Sequence, residues 1–141
     1  MARIFWDTNL FIYLFENHAV FGDRVVKIRQ AMLRRQDSLL TSALTVGEIL
    51  VKPIQSNRQD LVSRYQDFFQ RPGISVIPFD MEAASSFAAI RQDKRIRPPD
   101  AIQMACAAAA GTDLFITNDD RLSKFHVQGI HFISGLDQAP I

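Results

Sequence analysis

The chain has 141 residues, 48% of them hydrophobic and 22% charged, with a formal net charge of +1. That length suits one domain with a sizeable core, and the near-neutral balance excludes a global field that would draw the chain onto nucleic acid or a membrane. A single Cys excludes an internal disulfide framework and fits a reducing, cytoplasmic setting, and no apolar run approaches the ~20 residues of a membrane span.

The elements follow in chain order. Arg3-Ile4-Phe5-Trp6 is aromatic and β-branched without polar alternation, which predicts a central strand covered on both faces. It stops abruptly at Asp7-Thr8-Asn9, where Thr8 or Asn9 can cap the helix-like stretch Leu10 to Phe15. Phe21, Val25, Ile28 and Met32 recur at helical spacing and predict a helix over Val20 to Arg35. Leu39 to Thr41 is a second strand. A helix over Ser42 to Val51 follows, and Pro53 ends or bends it.

Ser56 or Asn57 then caps a helix whose apolar stripe is Leu61, Tyr65, Phe68 and Phe69. Arg71-Pro72-Gly73 turns the chain into a third strand, Ile74 to Ile77. Asp80 caps a helix over Met81 to Lys94, with Ala84, Phe87 and Ile90 facing inward. A basic loop, Arg95 to Pro99, leads to Asp100 and an alanine-rich helix over Ala101 to Ala110, stopped by Gly111. Leu114 to Thr117 is a fourth strand, Leu122 to Phe125 a short helix, and Gly129 to Ile133 a fifth, edge strand.

Strands alternating with helices predict an α/β fold: a central, mostly parallel sheet of four to five strands with helices on both faces. Ligands of such sheets collect beyond the carboxyl ends of the strands. Asp7 and Asp119 each follow a strand and belong on that rim. Glu48 and Asp100 lie on or at the start of helices that follow other crossovers.

Each acid has an ordinary structural explanation. Asp7 can close an Asx-turn or cap a helix. Glu48 stands three residues after Thr45, the spacing at which its carboxylate would accept from the Thr45 N–H in a capping box. Asp100 begins a helix, where its charge suits the dipole. Asp119 and the adjacent Asp120 both suit a turn, and either could supply an acid there.

Together the four mean more. Clustered carboxylates repel one another, and burial raises their pKa, so a stable acidic pocket usually needs a cation. Ligands made only of oxygen select hard metals such as Mg²⁺ or Mn²⁺, which also bind phosphate oxygens.

Ile4-Phe5-Trp6-Asp7-Thr8-Asn9, Thr45-Val46-Gly47-Glu48-Ile49, Pro99-Asp100-Ala101-Ile102 and Ile116-Thr117-Asn118-Asp119-Asp120-Arg121-Leu122 resemble the four acidic motifs of PIN-domain ribonucleases. The nearest likeness is to VapC-type toxins of toxin–antitoxin pairs, and it runs from about Arg3 to Ile133. The resemblance implies a PIN-like three-layer fold and Mg²⁺- or Mn²⁺-dependent endoribonuclease activity. It also implies an RNA substrate, a homodimer and a cognate antitoxin. Asp7, Glu48, Asp100 and Asp119 match the family's catalytic, metal-holding acids. Thr8, Asn9 and Thr117 match polar positions that border the site.

Arg91, Lys94, Arg95 and Arg97 closely precede Asp100 and could hold an RNA backbone at the mouth of the site; a solvated helix end is the plainer explanation. His18, His126 and His131 have no metal-ligand spacing. Cys106, among alanines, reads as a small core residue. Two other readings compete with an enzyme. One is a catalytically inactive PIN-like module that grips RNA or protein. The other is a phosphoacceptor receiver domain, which expects an acidic pair where only Asp7 follows the first strand.

Overall fold

The computed structural model describes all residues, Met1–Ile141. Five parallel strands, β1 (Arg3–Trp6), β2 (Ser38–Ser42), β3 (Ile74–Ile77), β4 (Thr112–Thr117) and β5 (Ile130–Gly135), lie in the order β3-β2-β1-β4-β5. Helices α1 (Thr8–Phe15) and α2 (Gly22–Arg35) connect β1 to β2, and α3 (Ala43–Gln55) and α4 (Gln59–Phe69) connect β2 to β3. α5 (Met81–Ile90) and α6 (Pro98–Ala110) then carry the chain from β3 to β4. Short 3₁₀ turns cover Leu122–Lys124 and Leu136–Gln138.

The absence of polar alternation in β1 has a direct structural counterpart. Ile4 and Trp6 point to one face and pack with Phe11, Ile28, Met32 and Phe69 from α1, α2 and α4. Phe5 points to the other face and packs with Met104, Ala105 and Phe115. Its ring stacks on Phe115 of β4, centroids 5.0 Å apart and 6° from parallel. Both faces are dry, so every residue from Ile4 to Trp6 is apolar. The alanines of α6 keep that helix close to the sheet: Ala101, Ala105 and Ala107 are fully buried.

Several boundaries differ from the sequence expectations, each for a local reason. Asp7, rather than Thr8 or Asn9, caps α1, accepting from the Thr8 N–H at 2.9 Å. Pro53 does not end α3, which runs to Gln55. It sits in the last turn, where its missing N–H forfeits one bond only. Neither Ser56 nor Asn57 caps α4; Arg58 holds that position, and Asn57 takes a left-handed φ of 55°. α5 stops at Ile90 instead of Lys94, because residues 91–97 form turns fastened by Arg95 to Asp93. Its buried contacts are Ala83 and Ile90, with Ala84 and Phe87 half-buried. α6 starts at Pro98, so two prolines occupy its opening positions, where no N–H is needed. β5 begins at Ile130, one residue after Gly129, and continues to Gly135.

Gly129 is the glycine with the least freedom to change. Its φ is +99°, and a Cβ there would meet the Ala108 carbonyl oxygen of α6 at 2.7 Å. Gly129→Ala should therefore destabilise the chain by about 1–3 kcal/mol. Urea unfolding of the purified variant checks this; unchanged stability would mean that β5 docks less tightly on α6 than described.

The strand order reverses at β1, which has β2 on one side and β4 on the other. A crevice opens beyond the carboxyl ends at such a point. Asp7 follows β1 there, and its N–H donates to the Ile116 carbonyl of β4 at 3.0 Å. The topology thus sets the ends of β1 and β4 side by side.

Candidate active site

A cleft of about 360 Å³ lies at this edge, lined by Asp7, Thr8, Asn9, Glu48, Asp100, Gln103 and Asp119, among others. All four acids singled out in the sequence therefore border one space. Asp120, adjacent to Asp119, is exposed and lies outside this lining.

Each acid is held differently. Asp7 accepts at Oδ1 from the Thr8 N–H and at Oδ2 from the Thr117 hydroxyl, 2.8 Å away. Burial raises its pKa above the ordinary carboxylate value; Glu48 and Asp119 push it the same way, against the two hydrogen bonds. Asp100 lies in the first turn of α6, half-buried. Its pKa is also raised, first by burial and then by Asp7 and Asp119, with Arg121 and Arg97 opposing. Glu48, on α3, accepts from the Thr8 hydroxyl at 2.8 Å. The capping-box explanation of Glu48 is thereby corrected: the Thr45 N–H is taken by the Ser42 hydroxyl at 3.2 Å. Ser42 ends β2 and caps α3, leaving the Glu48 carboxylate free to face the cleft.

Asp119 is the exception. Its Oδ1 accepts from the Arg121 N–H and Nε, and its Oδ2 from Nη2 at 2.5 Å. Arg121 consequently holds the Asp119 carboxyl below its ordinary pKa. Arg121→Ala should move that pKa up toward the usual range, a change readable by NMR titration of the Asp119 carboxyl carbon. An unmoved titration would mean that the ion pair does not persist in solution.

The sequence reading missed a buried polar network behind the acids. Gln103 is 3% exposed although it sits on the alanine-rich helix α6. Its Oε1 accepts from the Ser42 hydroxyl, and its Nε2 donates to Thr45 Oγ1 at 2.7 Å and Thr8 Oγ1 at 2.9 Å. The Thr8 hydroxyl hydrogen goes to Glu48, so Thr45 must be the donor in its 3.0 Å contact with Thr8. The side-chain bonds thus run from Ser42 through Gln103, Thr45 and Thr8 to the Glu48 carboxylate. Gln103 also approaches Asp7 Oδ1 at 3.4 Å. The one sequence signal was spacing: Gln103 lies three residues after Asp100, on the same helix face.

The basic residues separate by role. Arg91 turns back to donate to the Ile96 carbonyl at 2.7 Å, and Arg95 pairs with Asp93 and lies over Phe125. Arg97 bears on the acids, opposing the rise in the Asp100 pKa and helping to lower that of Asp119. Lys94 is exposed and borders neither space that Asp100 lines. A neighbouring hollow adds Arg121 and Lys124, which the sequence reading did not select, beside Arg95 and Asp100.

The donor set suits a hard divalent cation. It consists of oxygen ligands, and the carboxyls of Asp7 and Asp100 have pKa values raised by burial and then by neighbouring acids, a repulsion that a cation would relieve. Asp7, Glu48, Asp100 and Asp119 are the residues that would hold it. In the conformation described, no three acids converge closely enough to chelate one ion, and Asp119 is turned to Arg121.

A family model of the PIN domain matches residues 4–127 of the chain. The chain belongs to the PIN-domain family. The curated proteins searched contain no match. Among solved structures, the chain is similar to VapBC2 from Rickettsia felis bound to a DNA fragment from its promoter. That pair shares 14% identity at a TM-score of 0.73, over 94% of this chain and 97% of the other. A toxin–antitoxin complex from Klebsiella pneumoniae follows, with 22% identity, a TM-score of 0.66, and 90% and 94% covered. DNA-bound VapBC from Salmonella typhimurium is similar at 20% identity and a TM-score of 0.65, over 96% and 99%. At these identities the likeness shows a shared fold. The PIN fold accounts for the five-stranded parallel sheet with helices around it.

Proposed function

We propose that this PIN-domain chain is a metal-dependent endoribonuclease that hydrolyses RNA phosphodiester bonds, and that it is the toxin of a toxin–antitoxin pair. Mg²⁺ or Mn²⁺ is the proposed cofactor. The observation that carries the reading is the joint placement of Asp7, Glu48, Asp100 and Asp119 around one cleft, two of them with raised pKa values. The toxin–antitoxin assemblies among its structural neighbours support a cognate antitoxin as partner. Homodimerisation and a cytoplasmic location belong to the same reading.

A bound divalent cation would polarise water and a phosphate oxygen at neutral pH. The chain's own groups prepare the place. Thr117 and the Thr8 N–H fix the Asp7 carboxylate, and Gln103, through Thr8, orients Glu48. Arg97, whose charge acts on Asp100 and Asp119, is the basic residue of this loop proposed to draw the RNA backbone toward the cleft.

One observation favours a second reading, a catalytically inactive module that binds RNA or protein. Arg121 occupies both oxygens of Asp119, so a cation would have to compete with it for that carboxylate. End-labelled RNA separates the two. Cleavage in Mg²⁺ or Mn²⁺ that EDTA abolishes supports the nuclease. Binding without cleavage in either metal supports the module.

A further inference from the structure

One hydrogen bond ties the two sides of the cleft together without involving an acid. Asn118, between Thr117 and Asp119, donates from Nδ2 to the Tyr13 hydroxyl oxygen at 3.0 Å. Tyr13 belongs to α1, 105 residues away in sequence, and Asn118 is the one partner of that hydroxyl within the chain.

The phenol has little freedom of its own. Its ring packs on His18 and Phe21, with centroids 4.8 and 5.0 Å away. His18 is held in turn by the backbone, since its Nδ1 accepts from the Val20 and Phe21 N–H groups at 3.1 Å each. The His18 N–H also donates to the Tyr13 carbonyl at 3.0 Å. The turn between α1 and α2 thus fixes Tyr13. The segment after β4, which has no regular structure from Asn118 to Arg121, is the softer partner of the bond.

That segment carries an acid. The Asp119 N–H donates to Thr117 Oγ1 at 3.1 Å, and the Thr117 hydroxyl donates to Asp7. The Asp119 carboxylate is turned to Arg121, so the backbone of the loop sets the point from which it would reach a cation. Meanwhile α1 has Asp7 as its cap and opens on Thr8, whose hydroxyl donates to Glu48. Through Tyr13 the same eight-residue helix also takes hold of the Asp119 loop. One short rigid element then sets the places of three acids relative to one another.

We propose that Tyr13 is a positioning residue: through Asn118 it fixes the loop after β4, and with it the place of Asp119 relative to Asp7 and Glu48. The part of the inference that concerns a cation rests on the metal-dependent reading above; the anchoring of the loop does not. A tyrosine retained for packing alone would be matched by phenylalanine, whereas here the hydroxyl is the atom that acts.

The test uses the full chain, with Mn²⁺ as the probe ion. Tyr13→Phe keeps the ring and removes the hydroxyl, so the Tm should stay within about 2 °C of wild type. In the metal-free protein, hydrogen exchange at the Asp119 amide, followed by NMR, should quicken about three- to tenfold, the worth of one hydrogen bond. Mn²⁺ affinity, read from the EPR signal of the free ion, should fall by a similar factor. Asn118→Ala should reproduce both effects, and adding Tyr13→Phe to it should change neither further. In an Asp119→Asn background, Tyr13→Phe should no longer alter Mn²⁺ affinity, an independence that a general loosening of the fold would not show. Unchanged Asp119 exchange in Tyr13→Phe would overturn the proposal. So would undiminished Mn²⁺ affinity, or a loss of affinity that persists in the Asp119→Asn background. If the wild-type chain takes up no Mn²⁺, the metal-dependent reading fails, and exchange at Asp119 alone decides the anchor.

Discussion

Asp7→Asn and Asp100→Asn should each reduce RNA cleavage by at least about a thousandfold, because each removes a charge on which cation binding and water activation depend. The same substitutions should leave the metal-free protein at least as stable as wild type. Both carboxyls have folded pKa values above their unfolded ones, so ionising them opposes folding. That opposition is absent below the unfolded value near pH 4 and complete once the pH exceeds the folded values. Asn keeps the shape without the charge. Thermal melting in EDTA at pH 7 should show Asp7→Asn melting higher than wild type by roughly 2–4 °C. Carboxyls with lowered pKa values, such as Asp119, pull the overall pH dependence the other way. The decisive quantity is therefore the increment due to metal: Mn²⁺ should raise the wild-type Tm at pH 7 and hardly at all at about pH 4. A clear loss of stability in Asp7→Asn would mean that Asp7 serves the fold as a cap and that its charge is already well compensated.

Gln103→Leu should cost about 2–4 kcal/mol of stability, the largest folding effect expected near the site. Leucine fills a similar volume but leaves the Ser42 hydroxyl without its acceptor and withdraws the donor shared by Thr8 and Thr45. All three hydroxyl residues are buried, so water cannot replace the lost partner. Glu48 loses its positioning with them, since its bond comes from Thr8. Urea unfolding reads the first effect, and a weaker apparent Mn²⁺ affinity in the folded variant reads the second. A variant as stable as wild type would show that the network is looser than its geometry indicates. Lost stability with unchanged Mn²⁺ affinity would confine Gln103 to the fold.

The sheet was legible because β1 shows both of its faces in its composition: Ile4 and Trp6 serve one core and Phe5 the other, with no polar residue between them. The acids were legible through topology, since Asp7 and Asp119 follow strands that the fold sets near the reversal of strand order. What escaped depends on contacts between distant segments. Gln103 among alanines gives no pattern; its three hydroxyl partners come from β1's exit, the end of β2 and α3. The early end of α5 was hidden because residues 91–97 are held by side-chain bonds such as Arg95 to Asp93 rather than by periodicity. Thr45 and Glu48 show the reverse error. Their spacing fits a capping box, yet Ser42 outcompetes Glu48 for the Thr45 N–H and frees the carboxylate for the cleft. Arg121 stands two residues beyond Asp119, and sequence does not reveal which neighbour an arginine fork will choose.

The central claim is that these carboxylates hold a divalent cation, and titration of Mn²⁺ followed by the EPR signal of the free ion tests it most directly. At pH 7 the wild-type chain should remove Mn²⁺ from the free pool, while the folded Asp7→Asn/Asp100→Asn double variant should not. Equal uptake by the two proteins, or none by wild type even when RNA is present, would contradict it.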